Sequence, residues 1–287
     1  VLAPGCPAAT IEAVASPDFV DPAEVHAALT VVAPRVSALV RSIARPSAHA
    51  IGNWNSVELA VHLAHVWENL TALADAEMGS PLKQLDALGP LTESLVAQDP
   101  DRDPAALAAR IDRHAARFLA DASALRDTKP SPWLVEGIAV PRVAIAAHLL
   151  SECLVHGHDI AQAQRVPWTI ERKHAGLALM GFAFPLIARL DRRALVDQER
   201  THGFTATYEI TVRGAGRVYL ALDDGAVSVR ERRGERVDCH LSADPATLLL
   251  LLFGRISQWP AMLTGRLFAW GTKPWLAPKL RQVLRNP

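Results

Sequence analysis

Apolar residues along the chain change period once, between about residues 172 and 203. Before that point they recur at three- and four-residue intervals, as in helices with one buried stripe. Asp21, with Pro22 at the first helical position and Glu24 three residues after the cap, opens a helix predicted to reach about Ala44. A second opens near Asn55 or Ser56 and carries VELAVHLAHVWENLTALADAEM until Gly79, Ser80 and Pro81 stop it. Asp103-Pro104 starts a third, AALAARIDRHAARFLADASAL, and Pro141 a fourth, RVAIAAHLLSECLVHGHDIAQA. Four amphipathic helices, with one long connection between the second and third, predict a four-helix bundle. A further apolar stretch from His174 to Val196 contains Pro185 and is read as a bridging helix, kinked or broken near that proline.

Beyond it the period becomes two. FTATYEITVRG, GRVYLALDDG, AVSVRERRGE and RVDCHLSAD alternate apolar with polar, and Asp224-Gly225 marks a tight hairpin. After Asp244-Pro245 come a helical ATLLLLLFG, a short helix near Gln258, a strand-like GRLFAWG and a last helix ending near Leu284. Strands followed by helices make a small α+β domain. The expected layout is a leader over 1–20, an all-α bundle over 21–172, a linking helix over 173–202 and the α+β domain over 203–287.

Composition narrows the classes of function. Thirty Lys+Arg balance 30 Asp+Glu in 287 residues, so counterion release on a polyanion would contribute little, and nucleic acid is not an expected partner. The three cysteines, Cys6, Cys153 and Cys239, lie far apart and form no C-x-x-C, which fits a reduced, cytoplasmic setting better than a disulfide framework. Neither Leu248 to Phe253 nor Leu177 to Leu190 is long enough to span a membrane, and the N-terminal stretch lacks the basic start and apolar block of a secretory signal.

The helices carry a set of metal-ligating side chains. Glu152 and His156, four apart in the fourth helix, share one face, and His148 lies a further turn back on it. The second helix adds His62 and His65, three apart. Five candidate ligands thus stand on two helices, whereas a catalytic zinc site takes three and keeps a position open. A competing reading treats these histidines as hydrogen-bonded core residues and Glu152–His156 as a surface ion pair. Leu149, Leu150, Leu154 and Val155 around Glu152 favour the metal, because burying an unpaired carboxylate costs several kcal/mol.

At these positions the sequence resembles a known family. WNSVELAVHLAHVW is similar to the first signature of the mycothiol-dependent maleylpyruvate isomerase family, a branch of the DinB-like metal-binding bundles, with Trp54 eight positions before His62. SECLVHGHDIAQA followed by VPWTI is similar to the second signature: Glu, three residues, His, two residues, Asp. CHLSADPATLLLLLFGRISQWPAMLTGRLFAWGTKPWL resembles the sterol-carrier-protein-type domain that many members append. The resemblance implies His62, Glu152 and His156 as ligands of Zn2+ or another divalent metal, with Asp159 orienting a ligand or bound water. His65, His148 and His158 fall outside the family's ligand positions. It also implies a thiol-dependent isomerase or transferase using mycothiol and acting on a small electrophilic carboxylate of the maleylpyruvate type. A thiolate favoured by the metal adds to an unsaturated acid, a bond rotates, and elimination gives the isomer.

The resemblance further implies that an arginine of the C-terminal domain clamps the substrate carboxylate, with Arg255 the first choice and Arg266 the second. Cys153 points about 100° from Glu152 around the helix and is read as a small core residue, not a nucleophile. Of the seven tryptophans, read mainly as packing, Trp133 and Trp259 are candidates for lining a pocket. Two other readings are a small-molecule binding protein whose C-terminal domain holds an apolar ligand, and a family member that keeps the bundle without turnover. Metal content separates the binding-protein reading from the enzyme.

Overall fold

The computed structural model describes residues 20–230, 234 and 236–284, so the predicted leader, Cys6 and part of AVSVRERRGE lie outside the described residues. The helices number in chain order as α1 (Pro22–Arg41), α2 (Ser56–Ala74), α3 (Leu88–Gln98), α4 (Pro104–Leu119) and α5 (Arg142–Gln164). α1 and α2 each pack against both α4 and α5, which closes a four-helix bundle. Val25, Leu29, Val32, Val36 and Val40 of α1 are buried at three- and four-residue spacing. By length and composition α1 passes as a membrane span, but half of that window is buried inside the bundle, as in a core helix.

Helix starts follow the cap chemistry. The Asp21 carboxylate accepts from Ala23 N–H at the head of α1, and Asn55 and Glu58 form a reciprocal capping box at the head of α2. Helix ends come sooner than the apolar pattern suggests. α2 stops at Ala74, where Asp75 caps it and Ala76 turns into the left-handed region at φ 55°. α4 stops at Leu119 because Asp121 accepts from Ser123 N–H and starts a separate 3-10 turn, Ala122–Arg126. The long connection between the second and third predicted helices contains α3, which the pattern does not reveal. Its sequence LGPLTESLVAQ includes Gly89 and Pro90, and only Val96 is buried. Two short antiparallel pairs, β1 (His49–Ile51) with β2 (Trp54–Asn55) and β3 (Ser131–Pro132) with β4 (Ala139–Val140), shape the loops before α2 and α5.

Gly157 is held to its identity by packing. A Cβ there would lie 2.4 Å from the Trp168 ring, whose Nε1–H donates to Leu154 C=O at 3.2 Å and whose face carries the Arg35 guanidinium at 4.6 Å. Gly157→Ala should therefore cost about 1–3 kcal/mol by overpacking. Urea denaturation checks this, and an unchanged midpoint would show that Trp168 shifts freely.

The bridging segment breaks where Pro185 implies. It comprises α6 (Arg172–Ala178), a π turn at Leu179–Ala183, α7 (Phe184–Arg189) and α8 (Gln198–Thr201). Proline cannot donate to an i−4 carbonyl and its ring crowds that carbonyl, so a wider turn just before Pro185 relieves the clash. Gly181 in this turn allows a close approach to α5, since a Cβ would lie 2.7 Å from that of Ala147.

The C-terminal sheet has the order β7–β6–β5–β8–β9, formed by β5 (Thr205–Val212), β6 (Gly216–Asp223), β7 (Ala226–Arg230), β8 (Cys239–Ala243) and β9 (Leu267–Trp270). All neighbours are antiparallel except β5 and β8, which run parallel. Asp224 (φ 40°) and Gly225 (φ 79°) make the two-residue turn between β6 and β7. Ala206, Tyr208, Ile210 and Val212 supply the buried face of β5. The helices are α9 (Pro245–Leu252), α10 (Gln258–Leu263) and α11 (Ala277–Val283). The Tyr208 hydroxyl donates to Leu276 C=O at 3.1 Å and ties the last helix to the sheet.

Candidate metal centre

α2 and α5 bring His62, Glu152 and His156 together, their ligand atoms all within 4.8 Å of one another. Glu152 Oε2 lies 3.3 Å from His62 Nε2 and 3.2 Å from His156 Nε2. A tetrahedral ion with bonds of about 2.0–2.1 Å has ligand–ligand edges of about 3.3–3.4 Å, so both separations fit one cation. The donor set of two imidazoles and a carboxylate fits zinc and other first-row divalent metals. Trp54 packs against His62 with ring centroids 5.2 Å apart.

The remaining atoms of these side chains are held by neighbours. Glu152 Oε1 lies 3.3 Å from His148 Nε2, and His148 Nδ1 accepts from Trp133 Nε1–H at 3.5 Å. That second contact places the His148 proton on Nε2, where it donates to Oε1 and leaves Oε2 for the other two histidines. His148 also stacks flat on Phe182, with centroids 3.9 Å apart and planes 9° apart. His148 therefore orients the carboxylate. The i, i+4 spacing from His148 to Glu152 hinted at this, but the partners Trp133 and Phe182 come from distant segments.

His156 is oriented in the same way. Its Nδ1–H donates to Asp159 Oδ2 at 3.1 Å, which turns Nε2 toward Glu152. Arg255 grips that carboxylate from the C-terminal domain, with Nη2 at 2.8 Å and Nε at 3.1 Å from Oδ2, while Nη1 donates to Phe253 C=O. Three of the five guanidinium N–H groups are thus engaged, and two remain.

Electrostatics follows from these contacts. Burial alone would raise the Glu152 pKa, but hydrogen bonds from His148, His156 and His62 hold it well below the usual carboxylate range. Burial would lower His156, but Asp159 and Glu152 outweigh it and raise its pKa to about 9. His62 moves the other way, because burial outweighs its bond to Glu152. Burial likewise opposes ionisation of Asp159, yet His156 and Arg255 bring its pKa below the ordinary value.

The cluster opens into a cavity of about 450 Å³ between the bundle and the C-terminal domain. Trp54, His65, Asn69, α3 residues such as Leu91 and Thr92, and Phe253 and Arg255 form its walls. The α3 wall is the part of the site that sequence patterning misses. His65 borders this cavity, with Nε2 3.0 Å from Asp99 Oδ2. His158 is half-buried and, two residues from His156, points about 200° away around α5. Arg266 is exposed. Cys153 is fully buried, and burial pushes its thiol well above the ordinary range. Trp133 lies inside, whereas Trp259 is exposed.

A four-helix bundle gathering His, His and Glu inward, followed by a helix-flanked five-stranded sheet, defines a two-domain chain of the DinB-like class. Residues 25–161 match the family "Mycothiol maleylpyruvate isomerase N-terminal domain", and residues 187–284 match the "SCP-2 sterol transfer family". The first match covers the bundle and the second the C-terminal domain. Among solved structures, a mycothiol-dependent maleylpyruvate isomerase is similar at 13% identity and a TM-score of 0.46, over 84% of this chain and 93% of that one. A UbiJ-SCP2 ubiquinone synthesis protein is similar at 18% identity and a TM-score of 0.23, over 30% of this chain and 73% of that one. The sec-alkylsulfatase Pisa1 from Pseudomonas sp. is similar at 12% identity and a TM-score of 0.31, over 82% of this chain but only 33% of its own. No curated protein sequence matches the chain.

Proposed function

We propose that the chain is a metal- and thiol-dependent isomerase or transferase acting on a small electrophilic carboxylate of the maleylpyruvate type. The observation that carries this is the convergence of His62, Glu152 and His156 at ligand-edge distances beside a cavity of about 450 Å³. That volume is ample for a small acid beside a thiol. His62 and His156 would hold the cation through Nε2 and Glu152 through Oε2. A divalent cation there would favour the thiolate of a bound low-molecular-weight thiol, mycothiol by family.

The chain's own residues do the positioning. Asp159 keeps the His156 proton on Nδ1, and His148 keeps Glu152 Oε2 turned inward. Arg255 fixes Asp159 and borders the cavity, so its two remaining N–H groups are the donors for a substrate carboxylate. In an isomerase the thiolate adds to the conjugated double bond, forming a C–S bond and leaving a single bond that rotates. Elimination then breaks the C–S bond, restores the double bond and returns the thiol. A transferase keeps the C–S bond.

The test is turnover of maleylpyruvate and of a generic electrophile with and without mycothiol, alongside elemental analysis. Activity should require added thiol and persist in Cys153→Ser, whose side chain is buried in the core of α5. Full wild-type activity without thiol, or loss of activity in Cys153→Ser with metal still bound, would overturn the proposal.

A further inference from the structure

A second cavity lies behind the candidate ligands. It measures about 150 Å³ and shares Glu152 and His148 with the larger one. Its other walls are largely apolar: Trp133, Phe182, Leu186, Ile187, Leu195 and Leu252. These residues come from the β3–β4 region, the bridging segment and α9, and Phe182, in the π turn, stacks on His148 at the boundary with the larger cavity. Arg281 of α11 completes the wall, and its guanidinium has no ion-pair or hydrogen-bond partner among the described residues.

A small dicarboxylate would leave this space unused. An apolar cavity of about 150 Å³ accepts a benzene-sized guest. A guanidinium without a partner among the described residues, set on an apolar wall, favours an anionic substituent, because desolvated charge–charge hydrogen bonds exceed neutral ones. We infer that the annex is a specificity pocket for a ring-sized aromatic or branched-aliphatic part of the substrate that bears a carboxylate facing Arg281. This rests on the proposed site next door only for what happens to the substrate, since the annex can bind whether or not the thiol chemistry occurs.

The experiment is equilibrium binding, read by titration calorimetry on the full chain with benzoate, benzyl alcohol and acetate as probes. Benzoate should bind one site saturably, and acetate, which lacks the ring, should not. Benzyl alcohol should bind about tenfold more weakly than benzoate, the fold-change expected for one charge-assisted hydrogen bond. Arg281→Met should remove that preference while both aromatic probes still bind. Ala183→Phe, on the half-buried part of the wall, should fill the annex and abolish binding, with near-UV dichroism and metal content reporting an intact fold. If Ala183→Phe fails to fold, Ile187→Trp fills the same space from the neighbouring helix. Benzoate binding that survives the filling variant, or that fails in the folded wild type, would overturn the inference. Thiol-dependent turnover with no benzoate binding would leave the proposed activity standing and remove the annex from it.

Discussion

Replacing His62, Glu152 or His156 by Ala, one at a time, is expected to weaken metal binding by more than ~100-fold, because even residues that only orient a ligand contribute about 10–100-fold. The three ligand atoms lie within 4.8 Å of one another, so one cation can use all of them. In the intact protein His148 engages Glu152 and Trp133, and His65 Nε2 lies 3.0 Å from Asp99 Oδ2. His158→Ala serves as the control, since its side chain points to the opposite face of α5. Metal per chain, measured by elemental analysis after dialysis against a weak chelator, reads the effect. Full occupancy in His62→Ala would remove α2 from the site.

Metal affinity should also rise steeply with pH, by about tenfold per unit between pH 7 and 8, and level off above about pH 9. A metal takes only the neutral imidazole. In protein stripped of metal the His156 proton is held up to about pH 9 by Asp159 and Glu152. Below that value the neutral fraction falls tenfold with each unit, and metal binding must expel the proton. His62 imposes no such competition at neutral pH, because burial lowers its pKa. Asp159→Asn should shift the plateau to lower pH and reduce the plateau affinity by ~10–100-fold, since it weakens both the proton's hold and the ring's orientation. Competition against a coloured chelator across pH 6–10 measures both effects. An affinity flat from pH 7 to 8 would show that His156 is already neutral there.

The parts of the fold legible in the sequence are those governed by local chemistry. Asp21, Asn55 and Asp103 mark helix starts because cap side chains act on adjacent N–H groups. Pro185 marks the break in the bridging segment, and Asp224-Gly225 the hairpin. What escapes is whatever depends on distant segments. α3 carries Gly89 and Pro90 and little buried surface, so nothing local distinguishes it from a loop, yet it walls the cavity. The parallel pairing of β5 with β8 leaves no trace in an alternating pattern, which encodes a strand's faces and not its neighbours. At the site, spacing places Glu152, His156 and His148 on one face, but only packing of α2 on α5 separates the histidines that meet Oε2 from the one that meets Oε1.

The Arg255–Asp159 clasp has a thermodynamic consequence. Asp159 sits between His156 and a guanidinium from the other domain, so seating the C-terminal domain and fixing the His156 ring are linked equilibria. By reciprocity, whatever factor domain seating adds to cation affinity, the cation must return to domain seating. A chain loaded with metal would then hold its two halves together more tightly than a stripped one.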